Sequence, residues 1–244
     1  MTEKNYLLDL IIPVYNEGET IKQVLKLLDT EVKTPIRVLI CYDFDEDNTL
    51  RAVEEVEVSY PIKSIKNRSI GAHGAIITGF DESDADCLIV FPGDDVLNQN
   101  IIDDMYNQFL QGCEIVVASR FVKGGSMTGC PFLKSVFVRT ASFTLFSLSS
   151  IPVRDASNGF RLFSKKLLQH VSIESTQGFT FSLELLVKCE RLKWMIGEVP
   201  AQWAERRIGK SRFKLFHWLP KYLQWYFYGI ATTWLNRGPE SVRL

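Results

Sequence analysis

Residues 89–96 read Ile-Val-Phe-Pro-Gly-Asp-Asp-Val, an apolar run that ends in Pro92 and Gly93 and then presents two adjacent carboxylates, Asp94 and Asp95. Carboxylates at the carboxyl end of a strand suit a divalent cation, which takes hard oxygen ligands; the other reading is a polar turn. Acidic residues recur in residues 41–49, where Asp43, Asp45 and Asp47 alternate. Alternate acids can converge on one ligand or form a solvated turn, and an EF-hand is excluded because its glycine and terminal glutamate are missing. Residues 11–21 end an apolar run at Pro13 and pass through Tyr15, Asn16 and Glu17. That pattern serves equally as a pocket lining or as a helix start, with Asn16 as cap and Glu17 and Glu19 favourable in the first turn. In residues 67–80, Gly71 and Gly74 stand at a predicted helix start without the G-x-G-x-x-G spacing, so a dinucleotide fingerprint is unsupported. His73 in the same stretch is a ligand candidate or a plain loop residue.

These stretches need elements to hold them. Apolar runs at residues 7–14, 37–42, 87–91 and 115–118 predict strands; amphipathic patterns at 19–28, 49–56, 72–80 and 101–110 predict helices between them. The alternation predicts an α/β domain with a mostly parallel central sheet and helices on both faces, its ligand site at the carboxyl ends of the strands. Further on, residues 132–148 read as a helix rich in Phe, Ser and Thr, 179–192 as a second helix and 197–203 as a strand. The expected organisation is one domain over residues 1–213 and an aromatic, basic, amphipathic extension over 214–244.

Composition narrows the function. A formal net charge of −1 excludes a general nucleic-acid binder, which would be basic. Five dispersed cysteines with no Cys-x-x-Cys pair point to reduced thiols rather than a disulfide framework or a zinc site. Residues 7–14 form a strand rather than a signal peptide, because Asp9 interrupts the run and no small-residue cleavage site follows.

Taken together with Ser-Arg-Phe-Val-Lys-Gly-Gly at 119–125, Asp-Ala-Ser-Asn-Gly-Phe-Arg at 155–161, the helix at 178–186 and the stretch 197–213 with its Arg-Arg-Ile-Gly-Lys-Ser-Arg, these motifs in this order resemble the GT-A glycosyltransferases of family 2. They are most similar to the dolichol-phosphate mannose synthase branch, and the resemblance spans about residues 7–213. It implies the GT-A fold and an inverting transfer of a hexose, mannose favoured, from a nucleotide sugar (GDP-mannose or a UDP-hexose) to a polyprenyl phosphate. Pro13, Tyr15 and Glu17 would line the nucleotide pocket, Asp43 with Asp45 would serve the base side, and Gly71 would pass beside the nucleotide. The family carries Asp-x-Asp at the opening stretch, binding Mg²⁺ or Mn²⁺. Here Asp94 matches the second Asp and Pro92 stands in the first position, so Asp95 supplies the other oxygen or Asp94 coordinates alone with waters. Arg206 and Arg212 match a basic segment that closes over the diphosphate, Arg212 replacing a lysine. Arg120, Lys123, Lys134 and Arg139 are the expected acceptor-phosphate cations. Asp155 positions the acceptor, with base catalysis as the second role, and Glu184 is a site residue or a buried carboxylate paired to a basic neighbour.

A polyprenyl acceptor places the enzyme at a membrane. Residues 215–235 come closest to a spanning segment, but Pro220 and Lys221 interrupt them and the uncharged remainder is too short. Their Trp and Tyr content suits an interfacial helix, or the aromatics pack into the core. The expected location is cytoplasmic, peripheral at the cytoplasmic membrane face, alone or through an anchoring partner protein. Two rivals stand beside this reading: a family 2 enzyme with a saccharide or other soluble acceptor, which needs a true general base, and a non-catalytic nucleotide-sugar-binding protein, favoured by Pro92.

Overall fold

The computed structural model describes residues 5–204 and 215–243. Its centre is a seven-stranded sheet of β1 (Leu8–Pro13), β2 (Ile36–Tyr42), β3 (Ile62–Lys66), β4 (Cys87–Val90), β5 (Ile115–Ser119), β7 (Arg161–Ser164) and β8 (Ile196–Pro200), in the order β3-β2-β1-β4-β7-β5-β8. All neighbours are parallel except β7, which runs antiparallel to β4 and β5. The central strands are apolar because both faces are covered. Leu8, Leu10 and Ile12 face a core built with Ile21, Leu25 and Leu28 of α1 (Gly18–Glu31) and Met105 of α4 (Ile102–Leu110). Ile11, Leu39 and Val90 face the opposite core, with Ile76 and Phe80 of α3 (Gly71–Glu82) and Phe181 of α7 (Thr180–Arg191). The charge inside β1 is answered across the ladder. Asp9 lies opposite Arg37 in register and accepts from its Nε and Nη2 (2.8 and 2.7 Å), and the Ser83 hydroxyl adds a third hydrogen bond (2.6 Å).

The predicted strand at 197–203 is two strands. Ile196–Pro200 joins the main sheet beside β5, and Gln202–Ala204 (β9) leaves to pair with β6 (Ser126–Thr128) in a separate two-stranded sheet. β3, β6 and β7 come as additions to the five strands expected. α2 (Asn48–Glu54), α5 (Phe132–Leu148) and α7 lie where the periodicity puts them.

Helix α7 is buried along its whole length. Its Glu184 accepts from the Glu174 and Ser175 amides (2.7 and 2.8 Å), and Lys188 reaches Glu184 (2.7 Å), Glu174 (2.8 Å) and the Ser172 carbonyl (2.6 Å). Glu184 is therefore the structural carboxylate of the two readings, its charge matched and its lone pairs used, as burial requires. The layer over α7 is α8 (Leu215–Trp234), which runs through Pro220. Trp225 is buried and donates its Nε1 to Ser175 (2.9 Å), and Arg191 stacks on Tyr228 (3.3 Å) while donating to its carbonyl (2.7 Å). The aromatics at 222–230 thus divide. Trp225, Tyr222, Tyr226 and Tyr228 pack on the core, and Phe227 and Leu223 stay exposed. No helix among the described residues is long and apolar enough to cross a membrane. The expected boundary at 213/214 falls outside the described residues.

Candidate active site

Strand order dictates where the loops meet. The chain steps outward from β1 to β2 and β3, then returns to the other side of β1 as β4, so the loops after β1 and β4 diverge over a cleft at their carboxyl ends. Gly93 lies against the mouth of β1: a side chain there would stand 3.3 Å from Ile12 and 3.6 Å from the Pro13 carbonyl. The turn that carries Asp94 and Asp95 therefore abuts the loop that carries Tyr15 and Glu17.

The three acids after β2 do not converge on one ligand; each holds a different element. Asp43 accepts from Asn67 Nδ2 (2.6 Å) and from the Gly71 amide (3.0 Å), which draws the start of α3 toward β2. Asp45 pairs with Lys66 at the surface (2.5 Å). Asp47 is buried, caps α2 through the Thr49 amide (2.8 Å), and accepts the Asn16 N–H (3.0 and 3.1 Å). Asn16 sits at a positive φ of 56°, so it is a bend stabilised by Asp47 rather than the cap of α1. The Glu17 and Gly18 amides go to Thr49 and Asn48 (both 2.9 Å), stitching the β1 loop to the start of α2. Asp47→Ala is expected to cost about 1–2 kcal/mol, the usual worth of a strong cap, measured as a lower urea midpoint. An unchanged midpoint would show that the two loops hold each other without it. Tyr15 meets Phe44 edge-to-face with ring centroids 5.2 Å apart, an aromatic wall at the mouth of the cleft that the acidic spacing concealed.

The glycines of the next loop have separate reasons. Gly71 adopts φ +81°, where L side chains are strained, and its Cβ direction is open. A side chain at Gly74 would instead strike Ser69 (2.7 Å) and Asn67 (2.9 Å), so that glycine serves the chain's own packing. His73, in the first turn of α3, rests edge-on to Phe181 (5.9 Å) with Nδ1 unpartnered, and burial lowers its pKa.

The two carboxylates of the opening stretch differ. Asp95 accepts from the Leu97 amide (2.8 Å) and from Asn98 Nδ2 (2.7 Å), closing its own turn. Burial pushes its pKa up against those hydrogen bonds, and the Asp94 charge adds to the rise. Asp94 beside it is half-buried. Among the described residues no group of three or more His, Cys, Asp or Glu gathers into a metal cage. That donor set fits Mg²⁺ or Mn²⁺ bound the way Mg²⁺ usually is, through one or two carboxylates plus substrate phosphates and water.

Across the cleft lies a second constellation. Asp155 is fully buried and takes a bidentate grip from Arg120, Nε at 2.7 Å and Nη2 at 2.9 Å, together with the Arg120 amide (3.0 Å) and the Ser157 hydroxyl (2.9 Å). Burial alone would raise its pKa; the Arg120 guanidinium overcomes that and holds the carboxyl below the usual range. Glu198 of β8 accepts the Arg154 and Asp155 amides (2.8 and 3.1 Å), and Asn158 donates to the Ala118 carbonyl (2.6 Å), so this loop is held from both neighbouring strands. Beneath it Arg161 is wholly buried on the Ser182 and Ala156 carbonyls, its pKa lowered by burial to about 10 and still charged at neutral pH. Around Arg120 stand other cations. Arg120 and Arg139 lie over the same Phe121 ring (5.2 and 4.9 Å), and Lys134 lies over Trp203 (5.1 Å). Lys123 is exposed on the adjoining loop. Arg206 and Arg212 lie outside the described residues. Glu198 and Asn98 were invisible as site residues because they act through backbone groups distant in sequence, and Asn67 because it acts through the Asp43 side chain 24 positions away; a lone Glu in an apolar strand is the hint Glu198 left.

Residues 9–172 match the model of glycosyl transferase family 2. The chain belongs to this family. Its fold is the GT-A fold, mostly parallel and helix-covered. Among its relatives in this family is the dolichol-phosphate mannosyltransferase of Pyrococcus furiosus, 27% identical over 208 residues covering 84% of this chain. The chain spans only 58% of that relative's length. The polyprenol monophosphomannose synthase of Mycolicibacterium smegmatis is 22% identical over 210 residues, covering 83% of this chain and 79% of the relative. Among solved structures, glucosyl-3-phosphoglycerate synthase of Mycobacterium tuberculosis with UDP superposes with a TM-score of 0.64 at 14% identity, over 93% of this chain and 80% of that one. A complex of that synthase with Mn²⁺, UDP-glucose and phosphoglyceric acid gives 0.63 at 15%, over 91% and 80%. At such identities the likeness is one of fold.

Proposed function

We propose that this family 2 glycosyltransferase moves one hexose, mannose favoured, from a nucleotide sugar to a polyprenyl phosphate, with inversion at the anomeric carbon. The relatives named for dolichol-phosphate and polyprenol mannosyl transfer support it. The observation that carries it is α5. This 17-residue helix buries only Ser142 and Leu145, has no Asp or Glu, and leaves Phe132, Leu133, Val136, Phe137, Phe143, Phe146 and Leu148 exposed. A soluble phosphorylated acceptor gives no reason for such a surface, whereas a lipid one must be collected from a bilayer. Arg139 of this helix shares the Phe121 ring with Arg120, the partner of Asp155, and Lys134 of the same helix lies over Trp203, so the apolar face adjoins these cations.

The chemistry follows from the charges. A phosphate monoester has its second pKa near about 6, so at neutral pH the acceptor is largely dianionic and attacks without a base. Asp155, ionised and gripped by Arg120, orients that arginine and its neighbours toward the acceptor phosphate. Pro13, Tyr15, Glu17, Asp43 and Gly71 form the nucleotide side, with Arg206 and Arg212 on the diphosphate. Asp94 would hold a divalent cation, which would supply neutralisation of the charge on the leaving nucleoside diphosphate, and Asp95 shapes the turn that presents Asp94. The protein works as a peripheral enzyme at the cytoplasmic membrane face, by its own surface or with an anchoring subunit.

The test is transfer of radiolabel from a panel of GDP- and UDP-sugars to polyprenyl phosphate in vesicles, with and without Mn²⁺. Label should enter the lipid from GDP-mannose and only with metal. Asp94→Ala should lower the rate at least about 100-fold, a loss of some 2.7 kcal/mol of charge stabilisation, while the protein stays folded. Label passing to 3-phosphoglycerate and not to lipid would replace the acceptor. Tight nucleotide-sugar binding without any transfer would reduce the chain to a binding protein.

A further inference from the structure

Helix α7 and strand β7 treat buried charge differently. Lys188, 0% exposed, meets Glu184 and Glu174 at 2.7 and 2.8 Å. Arg161 is equally buried, yet both its hydrogen bonds go to peptide carbonyls, those of Ser182 and Ala156, and among the described residues no carboxylate pairs with it. Its Nε and the Ser182 hydroxyl are buried without a partner. A charge left unmatched in the interior costs the fold stability. Arginine rather than lysine suits such a place, because a guanidinium stays charged where a buried ammonium readily sheds its proton.

Its position gives the charge a use. Two arginines hold three consecutive residues of the loop before β7. Arg120 takes the Asp155 carboxylate and the Ser157 hydroxyl (2.7 Å), and Arg161 takes the carbonyl between them, that of Ala156 (2.6 Å). The charges of Arg120 and Asp155 answer each other. Asp155 also supports the charge of Arg161 against burial, but Arg120 opposes that charge more than Glu198 supports it.

We infer that Arg161 is a positioning residue for the acceptor: its unmatched buried charge draws the acceptor phosphate to the loop at 155–157, where the Arg120–Asp155 pair alone is neutral. The inference rests on the transferase reading above. Salt screens a buried charge much less than an exposed one, so the guanidinium acts on the loop with little loss. A dianionic phosphate that settles there supplies the counter-charge that the fold withholds.

Wild type, Arg161→Met and Arg161→Gln are to be compared in melting temperature, in calorimetric binding of a short, water-soluble isoprenyl phosphate, and in transfer kinetics. Arg161→Met should melt at or above the wild-type temperature while binding the isoprenyl phosphate about tenfold more weakly. The KM for the acceptor should rise by a similar factor, and kcat and the KM for the nucleotide sugar should stay within about twofold. Arg161→Gln keeps a donor for a carbonyl but not the charge, and should bind as weakly as Arg161→Met. An Arg161→Met protein that melts well below the wild type, or does not fold, would make the residue a structural clamp and overturn the inference. Wild-type affinity for the isoprenyl phosphate in either variant would overturn it too and leave the transferase reading intact. A wild-type protein that neither binds isoprenyl phosphate nor transfers to polyprenyl phosphate would overturn both.

Discussion

Asp155→Ala should lose about 3–5 kcal/mol of stability, the cost of breaking a buried ion pair from one side. The change removes the acceptor for Arg120 Nε, Nη2 and backbone N–H and for the Ser157 hydroxyl at one stroke. It strands a guanidinium only 10% exposed. Guanidinium chloride unfolding at neutral pH measures it, and a loss under about 1 kcal/mol would show that solvent or Ser157 compensates. Asp155→Asn keeps the shape without the charge and should cost less. Because Arg120 lowers the folded-state pKa of Asp155, its contribution is fully present above the unfolded value of about 4 and is lost as pH falls through the folded pKa. The stability gap between wild type and Asp155→Asn should therefore be constant from neutral pH down to about 4 and shrink below it. The same direction of shift bears on mechanism. A general base works best with a pKa raised toward neutrality, and this carboxylate is shifted the opposite way. Transfer by Asp155→Asn should fall at least tenfold while the acidic limb of the pH–rate profile keeps its position. A limb that disappears in the variant would restore Asp155 as the base and favour a soluble acceptor.

The residues that make this pair were visible in the sequence; the pair was not. Asp155 and Arg120 are 35 positions apart and meet only because β7 runs antiparallel between β4 and β5, bringing the loop before it to the carboxyl edge of parallel strands. β7 itself escaped the reading because its first residue is a buried arginine, which breaks an apolar run that a fully covered strand would otherwise show. β1, β2, β4 and β5 were legible for the converse reason, both faces being buried in aliphatic side chains. β3 at the sheet edge buries only Ile65 well, so its pattern is weak. Residues two apart share a face only on an extended chain, but 43–47 form a bend and turn, so Asp43, Asp45 and Asp47 diverge and reach α3, β3 and α2. Residue types named the candidates; partner choice, which depends on strand order and on hydrogen bonds to groups distant in sequence, did not follow from spacing.

The surface of α5 carries the largest functional effect outside the cleft. Phe132, Val136, Phe143 and Phe146 share one face, spaced by fours, sevens and threes along the helix, and Phe132 and Phe143 are 79% and 68% exposed. Helix α8 extends this surface: Tyr226 donates to Thr144 (2.8 Å), Trp234 Nε1 donates to the Leu148 carbonyl (2.7 Å), and Phe227 and Leu235 are exposed. Neither helix contains an acidic residue, while Lys134 and Arg139 lie along α5, a combination suited to a headgroup layer of anionic lipid. Inserting a Phe side chain into the apolar boundary contributes about 1.5 kcal/mol, so replacing two of them with Glu removes some 3 kcal/mol, roughly a 100-fold weaker partition. Phe132→Glu/Phe143→Glu should therefore no longer sediment with phosphatidylglycerol vesicles and should lose transfer to long-chain polyprenyl phosphate embedded in them. Its affinity for nucleotide, and its turnover of a short, water-soluble isoprenyl phosphate, should stay within about twofold, because both substituted residues point away from the buried Ser142–Leu145 stripe. Sedimentation and long-chain turnover that survive the double substitution would mean that α5 meets no membrane, and the case for a lipid acceptor would lose the observation that separates it from a soluble one.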